Sequence, residues 1–199
     1  RAALPSLRHT LLLGNLDATV SVAGCADWIS ATGNFDPKVA AFEPLWLPFD
    51  HPLWIVYSSG TTGLPKPIVH GHGGMVLVQM QLGALHNDLG CSYAPNSLGE
   101  RYHWYSSTGW VMWNAQVGGL LAGTTCVIFD GNPGGSKERP DWASLWRFAS
   151  ETGVTFFGAG AAFYAACMKA GIAPQDCGDL SHVRVLGSTG SPLSPEVQQ

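Results

Sequence analysis

The sequence predicts an α/β fold built on a parallel sheet, and three observations carry that prediction. Short runs rich in β-branched and aromatic residues (WIVYS, YHWYS, TTCVIFD, TFFGAG, HVRVL) alternate with apolar stretches of helical length (GMVLVQMQLGALH, GWVMWNAQVGGLLA, AAFYAACMKAG), the pattern of strand–helix–strand units. The segments that follow the strands, YSSGTTG, YSSTGW, FDGN, GAGAAF and GSTGSP, are all rich in Gly, Ser or Thr. In parallel sheets such loops sit at the carboxyl ends of strands, where ligands bind. Finally, the 199 residues are 46% hydrophobic and only 12% charged. That suits one sizeable domain that buries much of its surface, partly against other segments of a larger molecule.

In chain order, RHTLLLG reads as a short strand with VSV at 20–22 beside it. Residues 27–50 read as loop, because TGNFDPK and FEPLWLPFDHP break any helix. WIVYS at 54–58 is a strand and PIVH at 67–70 returns as another, so the loop between them joins strand to strand. A helix is expected over 74–86, a polar loop over 91–101 and an aromatic strand from Tyr102. A buried helix over 109–122 leads to a strand that exits at Asp130, and GNPGGSKERP forms a turn-rich linker. In DWASLWRFASETG, Asp141 is the expected helix cap and Leu145, Trp146 and Phe148 share one side. Strand, helix and strand complete the order, and PEVQQ stops as a helix begins, so both ends read as cut from something longer.

Charge and cysteine usage narrow the partners. The net charge is −4 and no basic block exceeds two residues, which argues against nucleic acid and anionic membrane. No apolar run approaches the roughly 20 residues of a membrane span, and RAALPSLRHTLLLG is no signal peptide. The five cysteines are odd in number and share no CxxC spacing, so reduced cytoplasmic thiols are expected, with Cys126 and Cys167 buried. His70 and His72, two apart in a segment expected to be extended, lack a third ligand nearby in sequence, so no metal site is expected.

SSGTTGLPK carries the strongest chemistry. Ser58, Ser59, Thr61 and Thr62 offer hydroxyls and backbone N–H groups, while Gly60 and Gly63 let the backbone turn so that several N–H groups converge on one anion. Lys66 adds a charge within reach of a phosphate oxygen. At roughly 1.5–3 kcal/mol per charge-assisted hydrogen bond, three or four could hold a triphosphate tail. A P-loop is excluded, since Lys66 precedes Pro67 and a strand rather than a helix. The alternative is a ligand-free Ser/Gly hairpin.

YSSGTTGLPK resembles the phosphate-binding motif of the adenylate-forming superfamily, which includes acyl-CoA synthetases, luciferases and peptide-synthetase adenylation domains. With FDHPLW before it, and with LHNDLG, WYSSTGWVMWN and LGSTGSPLSPE after it, the chain is similar to the branch that ligates acetoacetate to CoA. The likeness is close over residues 45–199 and looser over 1–44, and it implies one incomplete AMP-binding domain. It implies that residues 58–66 grip the β- and γ-phosphates of ATP. Trp110, Val111 and Met112 would line the acyl pocket, with Asn114 behind them. Gly190, Ser191 and Pro192 would lie against adenine, and Thr189 would face the acyl group. The alternatives are that Trp110 and Trp113 are core aromatics and that GSTGSP is a plain strand-to-helix turn.

ATP, Mg²⁺ and CoA are the implied cofactors and substrates, with a small carboxylate as the acid. The family's Mg²⁺-binding Glu, ribose-binding Asp and catalytic Lys find no match before Gln199. No catalytic residue is therefore assigned, and this chain alone is expected not to catalyse adenylation without the remainder of its polypeptide. The segment 91–101 is longer than the turn expected there. Two other functions stay open: activation of another short acid such as acetate or propionate, and a non-catalytic nucleotide-binding module.

Overall fold

The computed structural model describes residues 4–15, 17–33, 36–58, 63–90 and 99–198. They fall into two units, Arg1–Trp46 and Leu47–Gln199.

In the first unit, β1 (Leu11–Leu12) pairs in parallel with β2 (Ala26–Asp27). The strand expected at 20–22 is instead turn and irregular backbone; the Val20 amide donates to the Asp17 carbonyl at 3.2 Å. The stretch expected to lack helices holds two short ones, α1 (Trp28–Thr32) and α2 (Pro37–Ala40). Their local signals explain the difference. Asp27 accepts from the Ser30 amide at 2.7 Å and Asp36 from the Lys38 amide at 2.9 Å, each satisfying a first-turn donor. Pro37 also occupies a first-turn position that needs no amide partner.

The second unit is mixed α/β. β3 (Pro52–Ser58) and β4 (Lys66–Gly71) form an antiparallel hairpin, a sheet of its own. The loop between Ser58 and Lys66 therefore crowns a hairpin and does not lie at the end of a parallel strand. A second sheet is all parallel, built from β5 (Arg101–Trp104), β6 (Thr125–Cys126), β7 (Phe156–Gly160) and β8 (Val185–Thr189) in the order β6-β5-β7-β8. The strand expected to run to Asp130 is short, although the Val127 amide still donates to the Tyr102 carbonyl at 2.9 Å.

Helices cover both faces of the parallel sheet. On one, β7 contributes Phe157 and Ala159 to a core with Leu145, Trp146 and Ala149 of α5 (Ser144–Thr152) and Phe163 and Cys167 of α6 (Ala161–Lys169). Trp146 stacks on Phe157 with centroids 4.5 Å apart, worth about 0.5–1.5 kcal/mol beyond area burial. On the other, Tyr102, Trp104 and Phe156 pack with Leu89 and with Met112 of α4 (Val111–Gly118). This division follows the period-2 alternation of strand side chains.

Helix starts differ from the expectations in an instructive way. Asp141 sits ahead of α5, accepting from the Ala143 amide at 3.2 Å and pairing with Arg147, rather than capping the helix itself. α3 (His72–Gln81) begins directly after β4, so His72 is helical and its ring meets His51 at 5.7 Å. The α3 amides of His72 and Gly73 donate to the carbonyls of His51 and Phe49 at 2.9 and 2.8 Å, which makes a side-chain cap unnecessary. A Cβ on Gly73 would fall 1.9 Å from the Phe49 ring, so a larger residue there would have to displace that ring. α3 runs on into a π-helical turn, Leu82–His86, and α4 into a 3-10 turn, Gly119–Ala122. α7 (Pro195–Gln198) comes last. Among the described residues no helix is long and apolar enough to cross a membrane.

Candidate functional site

At the loop end of the hairpin, Ser58 and Lys66 are cross-strand partners. The hydroxyl-bearing and the charged side of the expected phosphate loop thus start from directly opposed positions, and both residues are exposed. Gly63 is described and exposed. Ser59, Gly60, Thr61 and Thr62 lie outside the described residues.

Two cavities adjoin the carboxyl ends of the parallel strands. One of about 640 Å³ is walled by β4 and α3 (His70, Met75, Val78, Gln79), by α4 (Val111, Met112, Ala115) and by Tyr102, Trp104, Ser188 and Thr189. The other, about 520 Å³, is walled by Trp104, Tyr105, Ser106, Trp110, Met112, Pro133, Trp142, Gly160, Phe163, Thr189 and Gly190. Both have the size and apolar character of small-molecule sites. Among the described residues, no Lys, Arg, Asp or Glu lines either one. Trp104, Met112 and Thr189 are common to both linings.

The expected site residues distribute unevenly over this frame. Met112 and Thr189, from motifs far apart in sequence, reach the same partition. Trp110 is the N-cap residue of α4, 68% exposed, and lines only the smaller cavity, whereas Val111 lines only the larger. Asn114 is half-buried on α4 and lines neither. Gly190 lines the smaller cavity with φ +91°, a conformation other residues rarely adopt. Ser191 and Pro192 are exposed just beyond it and are not brought into either lining.

Sequence reasoning missed Trp104 and the groups that hold it. Trp104, Gly158 and Gly187 are in register across β5, β7 and β8. A Cβ on Gly158 would lie 2.3 Å from the indole and one on Gly187 would lie 2.6 Å from it, so the ring is laid across two strands where only glycine leaves room. The Trp104 amide donates to Gln116 Oε1 at 3.1 Å, and Gln116 Nε2 donates to the Val127 carbonyl at 2.8 Å. Gln116 is 1% exposed, and a buried amide with both ends satisfied is a rigid strut. The available signal was a glycine at the same level of two strands, in FFGAG and VLGSTG.

The surrounding groups stay neutral. Burial pushes the Tyr102 phenol up to about 12 and also raises Tyr164. Tyr164 donates to the Gly187 carbonyl at 2.8 Å, tying α6 to β8 just before Thr189. Behind the sheet, His103 donates from Nδ1 to the Val127 carbonyl at 2.8 Å, and burial holds its imidazole below the usual histidine range.

Residues 7–199 match the family of AMP-binding enzymes. The chain is 41% identical over 171 residues to acetoacetyl-coenzyme A synthetase of Rhizobium meliloti (strain 1021), covering 86% of this chain and 24% of that protein. It is 37% identical over 164 residues to acetoacetyl-CoA synthetase of Danio rerio, covering 82% and 22%. The solved structure of acetoacetyl-CoA synthetase from Streptomyces lividans superimposes with a TM-score of 0.81 at 44% identity, over 100% of this chain and 28% of that one. The chain thus spans about a quarter of the length of the curated relatives it matches. With nearly its whole length matched, the chain belongs to the family of AMP-binding enzymes.

Proposed function

We propose that these residues form the nucleotide- and acid-binding part of a longer acetoacetate–CoA ligase. In that reaction a carboxylate oxygen of acetoacetate attacks the α-phosphorus of ATP, the bond to the bridging oxygen breaks and pyrophosphate leaves. The thiol of CoA then attacks the acyl carbon of acetoacetyl-AMP, loses its proton and displaces AMP. The observation that carries the reading is the meeting of Met112 and Thr189 at one partition with Gly190 beside them. An apolar wall there suits the short carbon chain of the acid, and close backbone approach at Gly190 suits a flat base.

Ser58, Ser59, Gly60, Thr61, Thr62, Gly63 and Lys66 would hold the β- and γ-phosphates, which the opposed positions of Ser58 and Lys66 support. Ser191 and Pro192 would flank adenine from the exposed side of Gly190. Mg²⁺ would accompany ATP. By the family resemblance, its Glu ligand, the catalytic Lys and the ribose-binding Asp would be supplied by the remainder of the polypeptide. The free thiols of Cys25, Cys126, Cys167 and Cys177 support a cytoplasmic location.

The test is acid-dependent ATP–pyrophosphate exchange by the full-length polypeptide with acetoacetate, acetate, propionate, butyrate and 3-hydroxybutyrate. Preference for acetoacetate is expected. Preference for another acid would keep the adenylation chemistry and replace the substrate, and no exchange with any acid would overturn the ligase reading.

A further inference from the structure

We infer that Trp104 is the wall that sets the length of the acid, an inference that rests on the ligase reading above. Three side chains are shared by the two cavities, and Met112 and Thr189 are the two assigned to the acyl group. The third, Trp104, is the largest of them and is 8% exposed. An acid seated against Met112 and Thr189 therefore meets the indole on extending in either direction across the partition.

The wall is fixed as well as bulky. Its backbone amide is held by Gln116, its ring lies near Phe156 with centroids 5.9 Å apart, and its inner edge fills the space that glycines leave at 158 and 187. A ring so placed cannot swing into the sheet to admit a longer chain. Its outward movement would vacate the cover of both glycines. Shortening the side chain, by contrast, joins spaces of about 640 and 520 Å³. Atoms Cζ3 and Cη2 of the indole are those nearest Gly187, and a phenylalanine, with one ring in place of two, would leave space there.

The consequence is a selectivity of measurable size. Each further methylene that gains an apolar berth improves binding roughly fourfold, the equivalent of burying one CH₂. Two methylenes separate acetoacetate from 3-oxohexanoate, so removing the wall shifts the ratio of their kcat/KM values by about fifteenfold toward the longer acid.

The experiment compares full-length wild type, Trp104→Phe and Trp104→Leu in pyrophosphate exchange with acetoacetate and 3-oxohexanoate, with far-UV circular dichroism as the check on folding. Wild type is expected to prefer acetoacetate strongly. Both variants are expected to lose that preference by about tenfold or more, with the KM for ATP unchanged. Wild type that accepts 3-oxohexanoate as well as acetoacetate would overturn the wall without recourse to any variant. Folded variants that lose activity on both acids in proportion would also overturn it, while leaving the ligase reading intact. Absence of acid-dependent exchange in wild type would overturn the ligase reading, and the wall with it.

Discussion

Gly158→Ala tests the packing that positions Trp104. The new Cβ would sit 2.3, 2.4 and 2.8 Å from indole carbons Cε3, Cδ2 and Cζ3, well inside ordinary contact. β7 cannot retreat, because it is hydrogen-bonded to β5 on one side and β8 on the other. The indole cannot retreat either, with its amide tied to Gln116 and only 8% of its surface exposed. Overpacking of this kind costs about 1–3 kcal/mol. Loss of glycine's freedom in the unfolded chain returns about 0.4–1 kcal/mol. The net expectation is a destabilisation of about 1–2 kcal/mol. Urea unfolding followed by far-UV circular dichroism reads it as a lower midpoint with an unchanged slope. The mechanism is isolated by repeating the substitution in a Trp104→Leu background, where the clash is absent. There Gly158→Ala should cost about 1 kcal/mol less than in wild type. Equal costs in the two backgrounds would refute the reasoning, because the penalty would then come from the strand and not from the ring.

Three further outcomes are expected. In the full-length polypeptide, Lys66→Ala should raise the KM for ATP by about tenfold or more, the worth of one charge-assisted hydrogen bond, and leave the KM for the acid nearly unchanged; steady-state kinetics decide it, and an unchanged KM for ATP would remove Lys66 from the phosphate site. His103 has a folded-state pKa below its unfolded value near 6.5, so its full contribution is present above that value. Below it the unfolded chain takes up a proton first. Stability should therefore fall as pH drops below about 6.5, and in His103→Gln that part of the slope should flatten when urea midpoints are compared across pH. Arg184→Ala breaks ion pairs to Asp88 and Glu100 at 2.9 and 2.7 Å. Because Arg184 and Asp88 are exposed, the loss should be about 0.5–1 kcal/mol and should shrink at high salt; an equal loss in 1 M salt would contradict that account.

The elements that were legible in the sequence are those whose information is local. β7, α6 and β8 follow from FFGAG, AAFYAACMKAG and VLGSTG because apolar runs and glycine breaks mark them within a few residues. The opposed positions of Ser58 and Lys66 were implicit in two strands joined by a short loop. Short helices with local caps at Asp27 and Asp36 were overlooked because proline and glycine dominated the reading of 27–50. What could not be read was register. Trp104 lies over Gly158 and Gly187 only because three strands separated by helices align at one level, and no window of sequence contains that alignment. Gln116 was hidden for the same reason, since its two partners, Trp104 and Val127, lie on either side of it in the chain. Ser191 and Pro192 were read from a motif, yet they stand outside both linings, beyond a glycine turn that redirects the backbone.

One guanidinium holds both ends of a chain excursion. Arg184 donates to the Asp88 side chain and carbonyl and to Glu100, so whatever runs between residues 88 and 100 departs and returns at a single anchored gate. β5 starts at Arg101, directly after Glu100, so the same guanidinium that holds Asp88 also fixes the point from which the strand carrying Trp104 departs.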